Sequence, residues 1–139
     1  MVVGVSNQQN FATLTSTYVK VKLASGLSIN TQTTLFTGDT KGSVITDILF
    51  RSKDASNARN FDIFIGNTVD SAVQVSIPAN SGNNGSVALA SLAALAPQLF
   101  DLDLNGNRGI LIESGVQIYV TNLAALTADV IITLKTKGF

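Results

Sequence analysis

Two aspartates two residues apart, Asp101 and Asp103, followed by Asn105 and Gly106, come closer to a chemical site than any other residues of this chain. The run Asp101-Leu102-Asp103-Leu104-Asn105-Gly106 opens like a calcium loop, which places oxygen ligands at its first, third and fifth positions and glycine at its sixth. Such a loop closes on a bidentate glutamate at its twelfth position; here that residue is Ile112, and Glu113 falls one place late. Leu102 and Leu104 alternate with the acids as they would along a strand, so the competing reading is a strand that ends in an Asn-Gly turn. On such a strand the two carboxylates share one face about 7 Å apart, the kind of pair that glycoside hydrolysis uses. Nothing beside them supplies an electrophile or a groove. Glu113, the one glutamate, adjoins a Ser114-Gly115 turn and reads as a solvated strand end.

Other reaction classes fall away on composition. The chain has no His and no Cys, which excludes His-based triads, thiol nucleophiles, disulfides and zinc–thiolate sites. Gly38-Asp39-Thr40-Lys41-Gly42-Ser43 and Gly82-Asn83-Asn84-Gly85-Ser86 are rich in glycine, but neither carries Gly-Lys-Ser/Thr ahead of a helix, as a phosphate loop requires. There is no Trp, and most of the seven Phe fall in strand patterns where core packing accounts for them. The expectation is a non-enzyme with no cofactor and no metal, Asp101, Asp103 and Asn105 remaining as the calcium candidate.

The elements that would position these residues are strands. Val19, Val21 and Leu23 alternate with Tyr18, Lys20 and Lys22. Thr33 to Thr37 is β-branched and aromatic. Val44, Thr46, Ile48 and Phe50 are expected on one face of the next strand, with Asp47 and Arg51 on the other. Phe61, Ile63 and Ile65 follow the polar loop 53–60; Val73, Val75 and Ile77 end at Pro78. Residues 80–86 read as an exposed, flexible loop. Leu89, Leu92 and Ala96 fall at helical spacing, which predicts a short helix over Val87 to Ala96 stopped by Pro97. Phe100, Leu102 and Leu104, then Ile110 to Glu113, Val116 to Val120 and Ala128 to Leu134 return to strand period. The sum is an all-β chain: a single antiparallel β-sandwich of jelly-roll type with about eight or nine short strands and one helical turn. Residues 1–16 form an N-terminal arm and 17–139 the sandwich domain.

With 139 residues the chain fits one domain, and 45% hydrophobic residues suffice for its core. Charged residues are only 13%, and nine Lys+Arg balance nine Asp+Glu. A freely soluble domain usually keeps net charge away from zero; low and balanced charge points to a surface meant to be covered by a partner. Scattered cations argue against nucleic acid. The N-terminus lacks the basic region and long apolar run of a signal peptide, and no stretch is long enough to span a membrane. Synthesis in the cytoplasm is the expectation. Apolar residues in the arm (Val2, Val3, Val5, Phe11) and at outward strand positions (Ile45, Leu49, Phe64, Ile131) are the expected contact surface.

The tail half carries an Ile77-Pro78-Ala79 strand end, a Leu/Ala-rich turn over Ala88 to Ala96, and Asp103 followed by Asn105-Gly106-Asn107. It closes with Ile110 to Gly115 and two strands ending in Gly138-Phe139. Together with the Thr34-Leu35-Phe36-Thr37 strand and Val44 to Phe50, this resembles the small β-sandwich virion structural proteins of tailed bacteriophages, of the head-decoration and auxiliary capsid type, over roughly residues 33–139. The resemblance implies a virion protein assembled in the host cytoplasm, an oligomer of its own copies, a trimer before other states, bound to a major capsid or other virion protein. It brings no catalytic residues. The alternative is a carbohydrate- or receptor-binding module of a phage fibre or tail, with loops 53–60 and 80–86 forming the site.

Overall fold

The computed structural model describes residues 15–138. Alternation of apolar and polar residues builds most of the strands, because each strand has one face to bury and one to leave outside. In chain order they are β1 (Thr15–Leu23), β2 (Gln32–Thr37), β3 (Ser43–Ser52), β4 (Arg59–Ile65), β5 (Val73–Ile77), β6 (Ala90–Ser91), β7 (Asp101–Leu102), β8 (Arg108–Ile112), β9 (Gln117–Asn122) and β10 (Val130–Gly138). All pairings among the described residues are antiparallel. The first sheet runs β1-β10-β3-β8-β7, with β6 paired to β3; the second runs β2-β9-β4-β5. The expected all-β sandwich is the observed one.

Between the sheets lies one core. Ile48, Phe50, Ile132 and Leu134 come from the first sheet; Phe61, Ile63, Ile118 and Val120 come from the second, all with no exposed surface. Phe50 and Phe61 stack across the interface, ring centroids 6.0 Å apart at 22°. Burying side chains of this size contributes about 1.5–3 kcal/mol each, and no disulfide assists them.

Four expectations need correction. First, Ile45 points inward. The β3–β10 register pairs Lys135 with Asp47 and then Thr136 with Ile45, so Thr46 is an extra residue. A one-residue bulge swaps the faces of everything beyond it, which puts Ile45 beside Ile48 in the core at 0% exposure and leaves Thr46 off the inner row. Second, the helix is a single turn, α1 (Leu92–Leu95), followed by a 3-10 turn over Pro97–Leu99. Residues 87–91 are drawn instead toward β3, where Ala90 pairs with Phe50 and Ser91 with Leu49. The turn survives at this length because Ser91 caps it and because Asp47, reaching across from β3, accepts from the Ala93 N–H at 3.1 Å and from the Ser91 hydroxyl at 2.6 Å. Third, strand pairing stops at Leu102. Of Phe100, Leu102 and Leu104 only Phe100 is buried, because the chain turns outward at Asp103. Fourth, the 80–86 loop is anchored: Ser81 is fully buried and its hydroxyl donates to the Phe50 carbonyl while accepting from the Ala90 N–H.

At one end of the sandwich the 38–43 turn and the 113–116 turn clasp each other. Gly38 N–H donates to Val116 O (2.8 Å) and Gly115 N–H to Gly38 O (3.1 Å). A Cβ on Gly38 would land on the backbone carbonyl of Glu113. Since that atom is main chain, it cannot rotate away. Gly38→Ala is expected to cost about 2 kcal/mol of stability by overpacking, read as a lowered urea midpoint; an unchanged midpoint would mean that the clasp yields without cost.

Candidate functional site

The acids singled out by spacing do not converge. Asp101 stands exposed on β7, opposite Gly109. Asp103 begins the turn and holds it: Oδ1 accepts from the N–H groups of Asn105 (2.9 Å) and Asn107 (2.8 Å), and Oδ2 from the Asn107 amide (3.3 Å). This is the Asx-turn use of an aspartate, completed by Gly106 at φ +81. Glu113 lies just past the end of β8, four residues on from Gly109, the partner of Asp101, about 13 Å at strand rise. Among the described residues no three acidic side chains are grouped to hold a metal ion.

A buried ion pair, which spacing gave no reason to pick out, occupies the 53–60 loop. Asp54 and Arg59 are both nearly inaccessible, and their contact is 2.6 Å. Asp54 Oδ1 accepts the Ser56 and Asn57 N–H groups, each at 2.9 Å. Arg59 also donates to Ala125 O (3.1 Å) and to the Thr127 hydroxyl (2.8 Å), fixing the 53–60 loop to the 123–129 connection. The two backbone N–H groups, with Arg59 assisting against the cost of burial, lower the Asp54 pKa from 3.8 to about 2. Every arm of the pair is engaged, so its role is to close this end of the sandwich. The available clue was only that an acid and an arginine five residues apart bracket a loop.

Of the expected contact residues, Val2, Val3, Val5 and Phe11 lie outside the described residues. Ile45 is in the core. Phe64 is turned to the outer face of the second sheet, opposite Tyr119, yet only 8% exposed. Leu49 and Ile131 are half-buried on the outer face of the first sheet. The large exposed apolar side chains are others, chief among them Tyr18, Val69, Leu102 and Leu104.

The two outer faces differ in charge. On the first sheet, strand pairing lines up three rows: Tyr18–Lys135–Asp47, Lys20–Thr133–Leu49 and Lys22–Ile131–Arg51. Lys137 extends the β10 column, and a depression of about 300 Å³ lies between Thr46, Asp47, Asn107, Arg108, Lys135 and Lys137. Five of the nine cations therefore stand on one face. On the second sheet the outward positions are Gln32, Thr34 and Thr37 of β2, Gln117, Tyr119 and Thr121 of β9, Asn60, Asp62 and Phe64 of β4, and Gln74 and Ser76 of β5. One of these eleven, Asp62, carries a charge. A second depression, about 390 Å³, opens beside Lys41, Leu111 and Glu113 at the clasped end.

No protein-family model matches the chain, and no curated protein matches it. Among solved structures, a chain of the cyanophage Pam1 capsid asymmetric unit is similar to it, with a TM-score of 0.47 and 13% identity over 91% of this chain and 86% of that one.

The Asp54 carboxylate fixes the sign of a pH effect. Its folded pKa lies below its unfolded value, so the stability it contributes is present above pH 3.8 and lost as pH falls through about 2. Asp54→Asn is expected to cost about 3 kcal/mol at neutral pH, because Arg59 is left buried without its anion. It should also flatten the decline in unfolding free energy between those two pH values. A variant that melts like the parent across that range would contradict the assignment.

Proposed function

We propose that this chain is a non-enzymatic structural protein of a virion, a decoration or auxiliary subunit of the shell that associates with its own copies and seats on a capsid protein. The outer face of the second sheet carries this reading. Four strands wide, it presents hydroxyl and amide side chains almost without charge. Neutral polar groups cost far less to take out of water than charges do, so such a face can be covered by a partner that re-pairs them. The low overall charge agrees with it.

The strand order supports the architectural half of the proposal. Sheets in the order β1-β10-β3-β8 and β2-β9-β4-β5, with the chain changing sheets between successive strands of these eight except from β4 to β5, fit the eight-strand jelly roll, two Greek keys wide, a fold that recurs in viral capsid proteins, lectins and cupins. Fold alone does not assign function. The acids weigh in the same direction, since Asp47, Asp54 and Asp103 are each committed to backbone donors within the fold.

Light scattering on the purified chain should give a mass of several copies, the trimer being the leading expectation, and the chain should co-sediment with undecorated shells. Placing charge on the neutral face with Thr34→Lys and Ser76→Lys should weaken one or both associations by about tenfold or more. A chain that stays monomeric at every concentration and leaves shells bare would refute the proposal.

A further inference from the structure

We propose that the polar depression on the outer face of the first sheet binds a small tetrahedral oxyanion: free phosphate or sulfate, or the phosphate group of a small ester. It is lined by Thr46, Asp47, Asn107, Arg108, Lys135 and Lys137 and measures about 300 Å³, the small end of the range of ligand pockets. Three of the six side chains are cations and one is a carboxylate, which leaves the lining with a net charge of two. A doubly charged anion balances it.

Strand pairing explains why the depression is there. Thr46 is the extra residue of β3, so the β3–β10 register shifts between Lys135 and Thr136. On its other side β3 holds β8 only through Ser43–Ile45. Ahead of Ile110, Gly109 and Arg108 pair with β7 instead. β3 thus parts from β8 next to where it bulges against β10, and bulges re-aim the side chains around them. Lys135 and Lys137, two residues apart, share one face of β10, and Arg108 approaches from the β8 side.

The fold provides these cations with no anion. The ion pairs among the described residues are Lys22–Asp129 and Arg59–Asp54. Arg108, Lys135 and Lys137 belong to neither, although both lysines are half-buried. Asp47 is committed elsewhere: Oδ1 accepts from the Ile48 N–H (2.8 Å) and the Ala93 N–H (3.1 Å), and Oδ2 from the Ser91 hydroxyl (2.6 Å). The Thr46 hydroxyl donates to the Lys135 carbonyl at 3.2 Å. Charge is therefore what the depression offers a ligand. Ammonium groups partly stripped of water gain from an anion that reaches both. Arg108 adds a planar fork that grips two oxygens at once. A tetrahedral oxyanion has four oxygens to share among a fork and two ammonium groups; a lone carboxylate has two. A nucleic-acid strand is disfavoured, because its continuous phosphate backbone would have to pass Asp47 in the same lining.

The test is calorimetric titration of the full chain with sodium sulfate and sodium phosphate at a fixed ionic strength of about 150 mM, with thermal melts in the same solutions. Both anions should bind at one site per chain and raise the melting temperature, since a ligand of the folded state stabilises it. Arg108→Gln and the double variant Lys135→Gln/Lys137→Gln should each weaken binding by about tenfold or more. In chloride alone neither should melt below the parent, because each removes unbalanced charge. Lys20→Gln/Lys22→Gln, on the same sheet face but outside the depression, should bind like the parent. Glycerol phosphate separates the two sources: binding equal to inorganic phosphate admits esters, and weaker binding restricts the site to free anions. No saturable binding of any of these anions, or equal losses in the Lys20/Lys22 and Arg108 variants, would overturn the site. So would a single-stranded oligonucleotide that binds where the small anions do not.

Discussion

The structure depends on two apolar sheet faces meeting in register with nothing covalent to hold them. Phe50 stacked on Phe61, with Ile48, Ile132 and Leu134 on one side and Ile63, Ile118 and Val120 on the other, form a continuous layer. The chain crosses between sheets repeatedly, so each long strand must keep its inward residues in phase with partners distant in sequence. Where the phase would slip, bulges correct it: Thr46 is the extra residue in β3, and Leu35 is skipped in the β2–β9 register while still lying in the core. A one-residue slip anywhere else would turn a whole strand inside out.

The same constraint explains what the acids do. A sandwich with long connections leaves many backbone N–H groups at its ends without strand partners, and each needs an acceptor. Asp47 takes those of Ile48 and Ala93, Asp54 those of Ser56 and Asn57, Asp103 those of Asn105 and Asn107, and Asp129 that of Ser25. For Asp129 the Ser25 N–H is the main cause that lowers the pKa, ahead of Lys22. Among the described residues no buried side-chain nitrogen or oxygen lacks a partner. Four of the nine carboxylates are thereby spent on holding loops and turns.

Sequence patterning revealed the strands that have one dry and one wet face. β4, β5, β9 and β10 were legible because Phe61, Val75, Val120 and Leu134 each alternate with polar neighbours. It failed where tertiary contacts decide. Nothing local distinguishes the Thr46 bulge, so Ile45 reads as outward until β10 is laid beside it. Residues 87–91 have helical spacing, yet the free edge of β3 near Phe50 takes Ala90 and Ser91 for pairing. Leu102 and Leu104 look like an inward stripe, and only the Asx turn at Asp103 shows why they are carried outside. The Asp54–Arg59 pair was equally hidden, because a loop of polar residues looks the same whether its charges are solvated or locked together beneath it.

A net charge of zero describes the whole chain and conceals how the charges are arranged. Summed over the sequence, nine cations cancel nine anions. Sorted by strand pairing, five of the cations collect on the outer face of the first sheet, while the second sheet's outer face retains a single charge. Period-two alternation causes this sorting: Lys20 with Lys22, and Lys135 with Lys137, occupy like positions on adjacent strands, and each i, i+2 step keeps them on the same side. The chain therefore has an inherent polarity, one face that attracts carboxylates and another that can be dried at low cost. In a repeated assembly these demands are best met by different neighbours, because a neutral face gains nothing from a charged partner and a basic face is wasted against a neutral one. A chain with two such unlike outer faces is suited to meet two different kinds of surface.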